Sequence, residues 1–151
     1  MPSLTRDSLL HFVHFLVIFS LASLLACEIA LFSKSIPRAA FNRLAVVDRW
    51  YGISAGLVII TGLSLLFLGL KPATFYTHNP VFWTKMVLFV CVALLSIPMT
   101  IRLVKTPDAP GTNDAVIFGD DEYRRLRLLL WAQVAVFVFI PLCAALMANG
   151  I

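Results

Sequence analysis

Charge is what this chain has little of. Asp, Glu, Lys and Arg make up 13% of its 151 residues, about half of the roughly 25% usual in soluble domains. A soluble protein of this size has too much surface to leave so poorly charged. Cysteine is scarce too, at three, and an odd number at different depths implies no disulfide framework. CxxC, CxxCH, HExxH and phosphate-loop motifs are absent and no Gly-x-Ser-x-Gly elbow is expected, so neither a hydrolase nor a nucleotide-dependent reading gains support. What is abundant is apolar: 60% of the residues, with a mean hydropathy of +0.92, which excludes a disordered chain. The net charge of +4 makes no case for a nucleic-acid partner, because the cations follow a membrane pattern.

Four apolar runs, Ser8–Phe32, Tyr51–Leu70, Val81–Val104 and Leu126–Asn149, are long enough to cross roughly 30 Å of hydrocarbon at about 1.5 Å per residue. Backbone in lipid must satisfy its own hydrogen bonds, so each run reads as a helix. The expected fold is all-α, a single four-span transmembrane domain over residues 1–151 arranged as a four-helix bundle. Between the runs, Ser33–Trp50 carries Lys34, Arg38, Arg43 and Arg49, and Lys105–Arg125 carries Lys105, Arg124 and Arg125, with Arg102 and Arg127 at its edges. Nine of the twelve cations thus share one side. Arg6 and Lys71 lie opposite, and Lys85 lies inside the third run. The positive-inside rule puts both long loops in the cytoplasm and both termini on the outer, periplasmic side of a bacterial inner membrane. Leu24-Leu25-Ala26-Cys27 resembles a lipoprotein cleavage site, but cleavage there would force the basic loop across the membrane.

Pro37, followed by Phe41, Leu44, Val47 and Tyr51 at helical spacing, predicts an interfacial helix running into the second span. Lys105–Gly119, with two prolines and two glycines, reads as flexible, and Asp120 and Asp121 are placed to cap the fourth helix. The short Lys71–Pro80 connection makes spans two and three antiparallel neighbours. Trp50, Tyr51, Tyr76, Trp83, Tyr123 and Trp131 suit an aromatic belt. Ala22, Ala26 and Ala30, Gly52 and Gly56, and Ala55, Gly62 and Gly69 read first as bundle packing, with room for a flat ligand as the sharper alternative. Pro98 and Pro141 should kink the third and fourth spans.

Polar side chains within spans are costly and so are functional candidates. They fall at two depths. The outer group is His11 and His14, adjacent on one helix face, with His78, Lys85, Cys143 and Met147. Imidazole, thiolate and thioether are ligands for haem iron, copper or zinc. The inner group is Glu28, Asp48 and Arg102, with Gln133 as a buried interhelical hydrogen-bonding group. Glu28 lies about four helical turns beyond His14 on the same face. It must pair with Arg43, Arg49 or Arg102, accept hydrogen bonds, or carry a proton, and the ion pair is the expected choice.

These residues carry a resemblance over essentially the whole chain. Leu10-His11-Phe12-Val13-His14 with Glu28, Asp48-Arg49-Trp50-Tyr51-Gly52, Phe75-Tyr76-Thr77-His78-Asn79-Pro80-Val81-Phe82-Trp83-Thr84-Lys85 and Cys143-Ala144-Ala145-Leu146-Met147 look like an uncharacterised bacterial membrane-protein family, domain of unknown function 2214. The resemblance implies a carboxylate near position 133, where this chain has Gln133. More distantly, His14, Thr61-Gly62 and Lys85 resemble HemJ-type protoporphyrinogen oxidases and copper-resistance-D-like membrane proteins. The former likeness implies His14, or His11, as a ligand of b-type haem with Lys85 as its partner.

Three functions remain open at this point. One is a haem-binding redox protein using His14, His11, Lys85 and Gly62. Another is a copper-handling or transport protein using His11, His14 and His78 with Cys143 and Met147. The third is a non-enzymatic accessory subunit of a homo-oligomer or larger membrane complex, with the lipid bilayer as its surroundings.

Overall fold

The computed structural model describes residues 2–70, 72–106 and 115–148. Its order is α1 (Pro2–Leu31), β1 (Ser35–Ile36), α2 (Arg38–Leu68), α3 (Ala73–Thr77), α4 (Pro80–Lys105), β2 (Val116–Ile117) and α5 (Asp120–Ala148). Four of the helices are long and apolar enough to cross a membrane, over Leu4–Leu31, Arg38–Leu68, Pro80–Lys105 and Asp120–Cys143. The interfacial helix expected after Pro37 and the second span form one continuous helix. Pro37 supplies its carbonyl to Phe41 N at 3.0 Å, as a residue just outside a helix start can. Asn79 caps α4 by accepting from Val81 N at 2.8 Å, with Pro80 in the first turn, where a missing N–H costs nothing. Asp120, Asp121 and Glu122 fill the first turn of α5 and meet its positive end. Asp120 pairs with Lys34 of the first loop.

The helices pack as two hairpins. α1 runs along α2 and α4 along α5, while α2 against α4 and α1 against α5 touch far less. The short connection between spans two and three therefore links two hairpins instead of pairing its own two helices. The hairpins join at the basic end. Leu21, Leu25, Phe32, Ile36, Phe41, Leu44, Tyr51, Met99, Leu103, Phe118, Leu126 and Leu130 form one buried cluster there. By contrast, no described residue of 4–20, 55–68, 80–91 or 134–143 is buried.

The second loop is less free than its prolines and glycines suggest. Residues 107–114 lie outside the described part, but Val116–Ile117 pairs antiparallel with Ser35–Ile36, matching Ser35 to Ile117 and Ile36 to Val116. Phe118 N donates to Lys34 O at 3.0 Å. Phe118 then meets Phe32 edge-on at 5.2 Å, and Phe32 stacks on Tyr123 at 5.4 Å. The alternation that sends Ile117 outward at 70% exposed turns Phe118 inward at 1%. Tyr123 is thus a packing residue. Tyr51, at 3% exposed, also belongs to the core and not to an aromatic belt, whereas Trp50, Trp83 and Trp131 are exposed.

The small residues divide by face. A Cβ on Gly52 or Gly56 would meet nothing within 4 Å, and Ala26 and Ala30 are exposed, so these do not pack the bundle. Gly62 and Gly69 do face α1. A Cβ on Gly69 would fall 2.4 Å from Leu65 O and 3.3 Å from Asp7 Oδ1. Arg6 Nη2 donates to Leu68 O at 2.8 Å and Leu70 N donates to Asp7 Oδ1 at 2.9 Å. The start of α1 thereby satisfies the orphan end of α2. Burial first, then the Asp7 carboxylate, raises the pKa of Tyr76 on α3.

Candidate functional site

Near the cation-poor end, α1 presents His14 to α2. His14 Nδ1 lies 2.8 Å from Thr61 Oγ1. Thr61 donates to its own helix, to Leu57 O at 2.8 Å and more weakly to Val58 O at 3.2 Å. A hydroxyl has one proton and two lone pairs. With the proton on the backbone carbonyls, Oγ1 accepts from His14 Nδ1–H, and the bare lone pair of the imidazole is on Nε2. Gly62, one residue on, lets the ring lie flush, since its absent Cβ would sit 3.4 Å from His14 Cε1. Gly62 therefore faces the imidazole, with space for no more than a methyl between them.

Lys85, on α4, and His11 lie near His14, and Cys143 of α5 lies near Lys85. The two hairpins thus contribute His11, His14, Lys85 and Cys143 to one region. Lys85 Nζ stands 5.9 Å from the Phe82 ring centroid. His11 is partly engaged elsewhere: Nδ1 lies 2.9 Å from Asp7 O and 3.4 Å from Asp7 Oδ2. His78 is exposed and its Nδ1 is 2.9 Å from Thr74 O, within the α3–α4 turn. Among the described residues, no three His, Cys, Asp or Glu side chains gather closely enough to hold a metal ion. The side chain of Met147 lies outside the described part.

A second polar group sits inside the basic half, where the hairpins join. Glu28, Asp48, Ser54 and Gln133 are its buried polar residues. Tyr51 OH donates to Gln133 Oε1 at 3.2 Å, Gln133 Nε2 reaches Leu95 O at 3.5 Å, and Thr100 Oγ1 donates to Asp48 Oδ1 at 2.8 Å. All four spans contribute. The expected ion pair of Glu28 does not form. Arg102 Nε instead donates to Glu122 Oε1 at 2.6 Å, and its guanidinium lies 5.1 Å from the Phe118 ring centroid. Arg43 and Arg49 are exposed. Glu28 Oε1 is buried with no hydrogen-bond partner. A cavity of about 500 Å³ opens between α4 and α5, lined by Pro98, Arg102, Lys105, Asp121, Glu122 and Arg125 among others, with Arg102 paired to Glu122.

Sequence reasoning missed Glu122 as the partner of Arg102, and Thr100 and Tyr51 as partners of Asp48 and Gln133. Helical spacing carries no signal for contacts between distant segments. It also passed over Gly52-Ile53-Ser54-Ala55-Gly56, which has the spacing of a nucleophile elbow. That elbow needs a sharp strand-to-helix turn that exposes its serine. Here the segment lies within continuous α2 and Ser54 is buried, so no nucleophile is presented.

Four membrane-length helices, paired as hairpins around two polar groups, define a small multi-pass membrane protein. The chain matches, over residues 6–151, the family described as predicted membrane protein DUF2214, and it belongs to that family. No curated protein and no solved structure matches it.

Proposed function

We propose that this membrane protein holds a b-type haem between the cation-poor halves of its hairpins, near the outer leaflet, and serves electron transfer or redox chemistry there. The observation that carries this reading is the His14–Thr61 hydrogen bond at 2.8 Å. A histidine that ligates a metal donates its other ring N–H to a fixed acceptor, which sets tautomer and orientation. Thr61 is such an acceptor, and Nε2 is the nitrogen left to hold the iron. The donor chemistry therefore fits. Lys85 supplies the cation that an anionic propionate requires in a low-dielectric setting. The haem, when bound, supplies one-electron chemistry. The chain's own part is to orient His14 through Thr61, to seat its ring against Gly62, and to leave the cation-poor halves unburied.

The test is an absorbance spectrum of the protein purified after haem-replete expression, with metal analysis of the same sample. A Soret band is expected, lost in His14→Ala and weakened in Thr61→Val. No Soret band in the wild type would overturn the reading, as would stoichiometric copper without haem, which belongs to the metal-handling alternative.

A further inference from the structure

The group at the basic half is independent of any haem. Glu28 is 1% exposed and its Oε1 lacks a hydrogen-bond partner. A carboxylate buried in this way, with neither cation nor donor, is among the most costly groups a membrane protein can contain. The charged and titratable groups around it give no relief. From α2, Asp48, a second carboxyl, lies near it, and Tyr51 OH is turned to Gln133. From α4, Arg102 is turned to Glu122. From α5, Arg127 is turned to Tyr123 OH, which accepts at 2.6 Å.

We propose that Glu28 is a proton-binding site and that the proton is the resident ligand of this buried group. A metal cation fits less well. Small hard cations take about six oxygens. Here Glu28 and Asp48 are the only carboxylates among the buried polar residues of the group, Asp48 Oδ1 is engaged by Thr100 and Gln133 Oε1 by Tyr51, and among the described residues no three His, Cys, Asp or Glu side chains gather closely enough to hold a metal ion. The same geometry places the proton. Of the two carboxyls, Asp48 accepts a hydroxyl hydrogen bond from Thr100, while Glu28 Oε1 has no donor, so the proton goes to Glu28. One proton from water at the basic end forms the O–H bond on Glu28, Asp48 stays a carboxylate, and the pair carries a single negative charge. Because all four spans meet here, protonation of Glu28 also removes a like-charge repulsion at the joint between the hairpins.

The chain has only two glutamates, Glu28 and Glu122, so carbon-13 labelling of glutamate side chains in the full-length protein in liposomes reads both. At neutral pH one carboxyl resonance is expected at the position of a protonated acid and the other at that of a carboxylate. Glu122→Gln should remove the carboxylate signal and leave the acid signal. Glu28→Gln, an uncharged near-isostere, should remove the acid signal and keep the thermal midpoint of the wild type. Two carboxylate resonances in the wild type would overturn the proposal. So would loss of the acid signal on adding sodium at constant pH, because the site would then hold a metal cation.

Discussion

At His14, one hydroxyl decides which imidazole nitrogen is available, and the bare Gly62 backbone leaves space for no more than a methyl beside the ring. Thr61 donates along its own helix and so accepts from His14. Gly62 leaves its Cβ position 3.4 Å from His14 Cε1, which is ordinary contact distance. Gly62→Ala should therefore be tolerated and keep the imidazole in place. Gly62→Val adds branches that the ring must avoid, and overpacking of that kind costs about 1–3 kcal/mol. The check is histidine-selective nitrogen-15 NMR: the Nδ1-protonated signal of His14 should persist in the alanine variant and be displaced in the valine variant. His14 was legible in the sequence as an intramembrane histidine. Thr61 as its acceptor was not, because it lies 47 residues away and threonine back-bonds in helices with or without a partner.

Among the elements, the β1–β2 pair is the smallest and the most consequential. It joins the two loops and turns Phe118 into the core beneath Arg102. Phe118→Ala removes a fully buried ring, and such truncations cost about 3–5 kcal/mol. Ile117→Ala, one residue earlier and on the opposite face of the chain, should stay within about 0.5 kcal/mol of the wild type. Reversible unfolding in detergent micelles compares the two. Near-equal effects would mean that the strand pairing does not orient Phe118 as described. The four spans were readable because length and apolarity suffice to require helices in lipid. This strand pair was not readable. Two residues per strand carry no periodicity, and the surrounding glycines and prolines point to a loop.

For the whole molecule, two hairpins share a core at one end and diverge in burial at the other. Nine of the twelve cations lie at the joined end. By the positive-inside rule that end should face the cytoplasm. In a cysteine-free background, a membrane-impermeant thiol reagent added to intact cells should label Thr77→Cys and not Ser33→Cys, and the reverse pattern would invert the topology. Both positions are exposed, so burial does not confound the comparison.

Composition and the order of apolar runs alone determined that this is a four-span membrane protein, because no other backbone arrangement of such runs satisfies its hydrogen bonds in hydrocarbon. Residue type alone marked His14, Lys85, Glu28, Asp48 and Gln133, because polar groups in a span are too costly to be incidental. Only the tertiary structure decided their partners. It gave Arg102 to Glu122 and His14 to Thr61, and it left Glu28 without a cation. Hydropathy sets how deep a residue lies along a span. Which neighbour it meets depends on helix rotation and hairpin pairing, and those follow from side-chain packing between segments far apart in the chain.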